Sequence, residues 1–224
     1  MPYTPRPDSR EAIILAAERL FAERGINGVS LREVAAEAGQ RNNSAVAYHF
    51  TSREGLVEAI FRYRMARIDE RRRALLVALD ASGRGDDLDG LMEAVVHPLA
   101  ESLGHDDGVS WYARFLRQVL ADPDFDAVSP PLDDVTHGLR TVIDRLDRRL
   151  RRLPEELRGH RVALAFQLVV TALADYEAAL ASSRPALPAP LIAADVVDAA
   201  TAVLAAPVSD ATRLQLRQTS RKGA

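Results

Sequence analysis

The sequence predicts an all-α protein with a small N-terminal helix-turn-helix head of three helices and a larger C-terminal helical bundle. Apolar residues recur at helical spacing along nearly the whole chain, and no run shows the strict alternation of a half-buried strand. Breaks that contain Pro or Gly divide this pattern into segments of helical length. With 224 residues, of which 47% are hydrophobic, the chain is long enough to bury a sizeable core.

The first helix is predicted from about Ser9 to Arg24, opened by Asp8 and Glu11. Its apolar stripe consists of Ile13, Ala16, Ala17, Leu20 and Phe21. This stripe indicates that one face of the helix is buried.

A second, shorter helix is predicted after Ser30, because Ser30 and Glu33 have the spacing of a capping box. Gly39 suits the position after the helix, where a left-handed residue ends it. Val46 and Phe50 then recur at the spacing of a third helix. Two short helices joined by a glycine turn form a helix-turn-helix, whose second helix would enter the major groove of DNA.

The charge pattern of this segment favours a nucleic-acid partner. From Ala38 to Arg53 there is no Asp or Glu, whereas Arg41, His49 and many amide and hydroxyl side chains are present. A polar surface without acids suits a polyanion, because each phosphate contact releases counterions and a carboxylate would oppose it. An αα-hairpin inside a bundle shares the same glycine and stripes, so spacing alone leaves that alternative open.

Further helices are predicted at about 52–79, 88–103, 108–121, 131–152, 155–183 and 189–205. These elements divide the chain into a head (1–52), a body (53–206) and a flexible polar tail (207–224). The Arg-rich stretch at 62–73 alternates with acids, which predicts an exposed face with ion pairs.

Three motifs of the head occur in a familiar order: LFAERG at 20–25, GVSLREVA at 28–35 and VAYHFTSREGL at 46–56. Together they resemble the N-terminal domain of the tetracycline-repressor (TetR) family of bacterial transcription regulators. Two departures are Ala47, where the family commonly has Tyr, and one extra residue between Gly39 and Phe50. The resemblance implies a ligand-responsive regulator, most often a repressor, that binds a palindromic operator as a homodimer.

The DNA contacts expected of such a head fall into two sets. Base edges would be read by Arg41, Asn42, Asn43, Ser44 and Ala45, since Asn amides suit adenine and Arg41 suits guanine or, as the alternative, a phosphate. Phosphates, which set the register, would be held by Ser30, Tyr48, His49, Thr51 and Arg53.

The body is expected to dimerise and to hold a small molecule. The resemblance assigns dimerisation to the helices at about 155–183 and 189–205, although monomer core packing is the alternative for both. A pocket in the bundle core is expected among Met92, Val96, Pro98, Trp111, Phe115, Phe125, His137, Phe166, Gln167, Thr171 and Tyr176. Pro98 cannot donate to the Ala94 carbonyl, so it should kink its helix and free that acceptor. A plain structural kink is the other explanation.

Other function classes find little support. The chain has no Cys, and its five His residues are scattered, so no metal site or cofactor is expected. A helical enzyme would need a convergent acid–base set, for which His137 near Asp133 or Asp134 is a weak candidate. A protein–protein adaptor would present an exposed apolar face in place of the polar surface without Asp or Glu at 38–53. The N-terminus lacks a signal-peptide pattern, and the apolar run 162–174 is short for a bilayer, which predicts a cytoplasmic protein.

Overall fold

Helix α1 (Ser9–Arg24) packs on α2 (Leu31–Glu37) and on the long α3 (Arg53–Ala81) in a computed structural model of the chain. The structure describes residues 9–39, 50, 52–105, 108–122, 135–182 and 184–222. The body continues with α4 (Leu88–Glu101), β1 (Gly104–His105), β2 (Gly108–Val109), α5 (Tyr112–Ala121), α6 (His137–Arg149), α7 (Glu155–Ala181), α8 (Ala189–Ala205) and α9 (Asp210–Lys222). The predicted all-α class is confirmed.

The two short strands form an antiparallel ladder that pairs Gly104 with Val109 and His105 with Gly108. The sequence predicts a break followed by a helix from about residue 108. Because the ladder occupies the start of that segment, α5 begins only at Tyr112.

The predicted capping box is present at the start of α2. The Ser30 hydroxyl accepts from the Glu33 backbone N–H at 3.3 Å, and the Glu33 carboxylate accepts from the Ser30 N–H at 2.9 Å. At the other end, Gly39 has a φ of +67°, the left-handed conformation expected of the residue that follows a helix. Val34 and Ala35 are fully buried. Local sequence signals therefore define both ends of α2 and its buried face.

One hydrophobic core runs from the head into the body. At its centre, Phe115 of α5 stacks on Phe21 of α1, with ring centroids 6.4 Å apart. Phe115 also meets Phe61 of α3 edge-on at 5.6 Å. Since these rings come from three helices of the head and body, α1 rests directly on α5.

A buried carboxylate holds the first turn of α5. Glu177 of α7 is 0% exposed and accepts from the backbone N–H groups of Ala113 and Arg114 at 3.2 and 3.0 Å, and from Arg114 Nε at 2.9 Å. A negative charge at a helix N-terminus satisfies free N–H groups and complements the helix dipole. Burial raises the pKa of Glu177 despite these hydrogen bonds.

Helices α7 and α8 pack against each other, and α8 also packs on α4. Over an 18-residue stretch, α7 is apolar enough to cross a membrane, and 39% of that stretch is buried in the monomer. The prediction that no apolar run is long enough to cross a bilayer considered only residues 162–174, which is a shorter segment than the helix. Such a helix is weak evidence for a membrane span, because the core helix of a bundle has the same composition.

The polar composition of the C-terminal segment predicts a flexible tail. The structure instead contains the helix α9 in this segment. The Ser209 hydroxyl accepts from the Thr212 N–H at 3.3 Å, which is an N-cap hydrogen bond. This cap is a local signal that composition does not reveal.

Candidate DNA-binding head and ligand cavity

Most of the expected DNA contacts lie outside the described residues. These are Arg41, Asn42, Asn43, Ser44, Ala45, Tyr48, His49 and Thr51. Ser30 and Arg53 are described, and both are exposed or half-buried at the edge of the head.

Ser30 is already engaged by its own capping box. Its hydroxyl lies 2.7 Å from the Glu33 carboxylate, which also accepts from the Ser30 N–H. These hydrogen bonds lower the pKa of Glu33, with the backbone N–H of Ser30 contributing most and Arg24 adding to the effect. A phosphate at Ser30 would therefore have to displace a carboxylate that is ionised at neutral pH.

Arg53 is held by a short chain of polar contacts. Its Nη1 donates to Asn27 Oδ1 at 3.2 Å, and Asn27 Nδ2 donates to Asp122 Oδ2 at 2.9 Å. Asp122 directly follows α5. The first residue of α3 is thus connected through Asn27 to the end of a body helix.

A buried ion pair joins the head to the body. Glu18 of α1 is 1% exposed and accepts two hydrogen bonds from Arg64 of α3, at 2.7 and 2.8 Å. The Trp111 backbone N–H, just before α5, also donates to Glu18 at 3.3 Å. The carboxylate thereby links α1, α3 and the start of α5.

The body contains an apolar cavity between α3, α4, α5, α6 and α7. It holds about 850 Å³ of space between atoms, its mouth to solvent included. Its walls are Phe61, Met65, Ile68, Arg72, Val95, Leu99, Leu116, Val119, Leu120, Thr136, Leu139, Ala163, Phe166, Gln167, Val169 and Val170. An apolar cavity with a few polar groups is the usual composition of a small-molecule site.

The predicted pocket residues divide between this cavity and other places. Phe166 and Gln167 line it. Met92, Val96 and Phe115 are 0% exposed in the core and do not line it, whereas His137 and Thr171 are exposed.

Three more of the predicted pocket residues, all described by the structure, also lie away from the cavity walls. Trp111 packs under the Arg114 guanidinium, with 3.7 Å between its ring centroid and the guanidinium carbon. Tyr176 packs at the edge of the core, and Pro98 lines a separate surface cleft. Phe125 lies outside the described residues. An apolar residue type indicates burial, and it does not distinguish a cavity wall from solid core.

The acceptor freed by Pro98 has a partner at the cavity wall. Arg72 Nε donates to the Ala94 carbonyl at 3.1 Å, and Arg72 Nη1 donates to Asp69 Oδ1 at 2.8 Å. Asp69 also accepts from the N–H groups of Gly138 and Leu139, at 2.8 and 3.0 Å. One buried pair therefore connects α3, α4 and the N-terminus of α6.

The prediction of an exposed, ion-paired face at 62–73 is only partly right. Arg62 and Glu58 do form an exposed ion pair. Asp69 and Arg72, however, are only 4% and 3% exposed. Phe61, Met65, Ile68, Arg72, Leu76 and Leu79 recur at three- and four-residue spacing, so the periodicity did place Arg72 on the buried stripe. Because Arg72 is charged, its place in this apolar periodicity was not recognised.

The fold and the site define an all-α protein whose head carries a capped helix and whose body surrounds an apolar cavity. Residues 13–60 match the model of the bacterial regulatory proteins of the tetR family. The match assigns this N-terminal segment, residues 13–60, to the tetR family.

A part of the chain is also similar to a curated relative. It is 42% identical over 53 residues to the HTH-type transcriptional repressor BepR of Brucella suis biovar 1 (strain 1330). That match covers 24% of this chain, and the chain spans a quarter of the relative's length (25%). This likeness therefore concerns about a quarter of each chain.

Solved structures resemble most of the chain. A mutant form of the HlyIIR protein has a TM-score of 0.53 at 15% identity, covering 92% of this chain and 100% of its own. The fatty acid degradation regulator FadR from Bacillus halodurans also has a TM-score of 0.53 at 15% identity, covering 91% and 98%. At this identity, the likeness shows the fold alone.

Proposed function

We propose that this protein is a ligand-responsive transcription repressor, located in the cytoplasm, that binds a palindromic DNA operator as a homodimer. The family match of the head and its similarity to a repressor support DNA binding and repression. The expected DNA contacts are those predicted from the sequence, and the structure describes the surroundings of two of the expected phosphate contacts, Ser30 and Arg53.

The observation that carries the ligand response is the position of α5 between the cavity and the head. One face of α5 lines the cavity with Leu116, Val119 and Leu120. On its other side, Phe115 stacks on Phe21, and Gln118 Nε2 donates to the Ala22 carbonyl at 3.4 Å. A molecule that displaces α5 on entering the cavity would also displace α1, and with it the head.

Dimerisation through α7 and α8 is supported by apolar side chains left exposed on the monomer. Leu164 of α7 and Leu191 of α8 are 40% and 52% exposed. A symmetric dimer would present two heads about 34–36 Å apart, or a multiple of that, on a palindrome. Sedimentation of Leu164→Glu should shift toward monomer, whereas Val77→Glu, at a 68% exposed site on α3, should sediment as the parent does.

The proposed function is tested by selecting bound sites from a random DNA pool with the purified full chain at physiological salt. An enriched palindrome with half-sites about one helical turn apart supports the dimeric regulator. If nothing is enriched and the protein fails to bind DNA even at low salt, the proposal is wrong.

A further inference from the structure

The cavity has one polar region, where α3 meets the start of α6. Arg72 and Thr136 lie there among apolar side chains, and Leu139 belongs to the first turn of α6. Both polar residues are nearly inaccessible, at 3% and 2% exposed. Gln167, the other polar wall residue, is on α7 and is exposed to solvent.

Within the protein, Arg72 uses only part of its donor capacity. Nε is taken by the Ala94 carbonyl and Nη1 by Asp69. No acceptor among the described residues takes Nη2. A guanidinium carries five N–H donors and no acceptor, so Arg72 can donate to a ligand in the cavity but cannot accept from it.

The oxygens that hold Arg72 already accept hydrogen bonds from the protein. Asp69 Oδ1 accepts from Arg72 and Leu139, and Oδ2 accepts from Gly138. The Ala94 carbonyl accepts from Arg72. A ligand that brought a donor or a cation to this region would find these oxygens occupied and the guanidinium charge opposed to it.

We infer that the cavity takes an apolar molecule with a carbonyl or carboxylate oxygen at one end, which accepts from Arg72 Nη2. This inference rests on the proposed function in treating the cavity as the effector site. The apolar walls would bury the body of the ligand, and Arg72 would select the oxygen. A hydrogen bond from a charged donor in a desolvated site is stronger than one in water, so this contact decides between head groups.

The test uses the full chain and three unbranched probes of ten carbons each: 2-decanone, decanoate and decylammonium. Thermal unfolding and titration calorimetry measure binding, because a ligand that binds only the folded state raises the melting temperature. We expect 2-decanone or decanoate to bind at least about tenfold more tightly than decylammonium. Tighter binding of 2-decanone assigns an uncharged carbonyl compound, and tighter binding of decanoate assigns an acid.

Arg72→Lys keeps a cation for Asp69 while removing the second arm of the guanidinium. We expect it to weaken binding of the preferred probe about tenfold. The matched control is Arg71→Lys on the neighbouring position, where Arg71 pairs with Glu101 on the surface and does not line the cavity. This control should bind the probe as the parent does.

If decylammonium binds the parent protein as tightly as the other two probes do, or if none of the probes binds, the inference is wrong. This outcome does not depend on whether the Arg72→Lys variant folds. Equal binding by Arg72→Lys and Arg71→Lys also overturns the inference. The random-pool selection tests the proposed function independently. If the protein binds 2-decanone but no DNA, this inference stands and the proposed function is wrong. If the protein selects a DNA site but binds none of the probes, the proposed function stands and this inference is wrong.

Discussion

Glu18 of α1 and Arg64 of α3 form a bidentate ion pair, with 2.7 Å between Oε2 and Nε and 2.8 Å between Oε1 and Nη2. The Glu18 side chain is 2% exposed and that of Arg64 is 23% exposed. Glu18→Ala would leave Arg64 and the Trp111 N–H without this acceptor. We expect a loss of about 3–5 kcal/mol in the free energy of unfolding, measured in urea.

The matched control is Glu58→Ala. Glu58 pairs with Arg62 on the exposed face of α3, with side chains 48% and 38% exposed. An exposed pair of this kind contributes less than about 1 kcal/mol. Equal losses in the two variants would show that the Glu18 pair does not hold the head to the body.

Asp69 should protect the first turn of α6 from solvent exchange. Its carboxylate accepts from the Gly138 and Leu139 N–H groups and pairs with the buried Arg72. In Asp69→Ala, these two amides should exchange faster, and stability should fall by about 3–5 kcal/mol. Hydrogen exchange followed by NMR measures the first effect and urea unfolding the second.

Asp175→Ala provides the comparison, because Asp175 is 68% exposed in its pair with Arg117. It should cost less than about 1 kcal/mol and leave the α6 amides unchanged. Unaltered exchange at Gly138 and Leu139 in Asp69→Ala would contradict the assigned role.

The features predicted correctly are those that local sequence determines. The capping box at Ser30, the left-handed Gly39 and the bounds of α8 depend on neighbours within one or two helical turns. The features missed are tertiary. Asp69 and Glu177 each cap a helix far along the chain, and the charge of a residue gives no sign that a distant partner will bury it. A cavity was predicted, but of the expected lining residues that the structure describes, only Phe166 and Gln167 were found there.

Arg53 and Asn43 should affect DNA binding differently. Arg53→Ala removes a side chain that Asn27 holds at the start of α3. It should therefore weaken binding to all DNA sequences alike. The dependence of DNA affinity on salt concentration should fall by the amount expected for about one phosphate contact. Asn43→Ala should instead relax sequence preference at one base position, at a cost of about 1–3 kcal/mol for the preferred base. Titrations with the selected site and a scrambled one, at several salt concentrations, separate the two. The same uniform loss in both variants would refute these roles.

Tyr63 should make stability depend on alkaline pH. Burial, followed by the hydrogen bond to Glu11 at 2.5 Å and the charge of Glu11, raises the pKa of Tyr63 to about 12. The folded state thus holds the phenolic proton more tightly than the unfolded state, where the pKa is about 10. The resulting stabilisation is complete below about pH 10 and is lost as the pH rises toward 12.

Urea unfolding of the parent and of Tyr63→Phe, measured across this alkaline range, tests that sign. The parent should lose more stability than Tyr63→Phe as the pH rises, because Phe has no proton to release. Parallel pH profiles for the two proteins would mean that Tyr63 titrates alike in both states.

Gly138 should resist substitution although it lies in a helix. A Cβ at this position would be 2.9 Å from Asp69 Oδ1 and 3.0 Å from Arg73 Cγ. The carboxylate cannot yield easily, because it is buried and accepts from Arg72 and two backbone N–H groups. We therefore expect Gly138→Ala to lower the free energy of unfolding by about 1–3 kcal/mol.

Gly159→Ala in α7 is the opposite case, since a Cβ there meets no atom within 4 Å. It should stabilise the protein by about 0.5–1 kcal/mol, because Ala loses less backbone entropy than Gly in a helix. If both substitutions stabilised the protein, Asp69 would have to be free to move away from the N-terminus of α6.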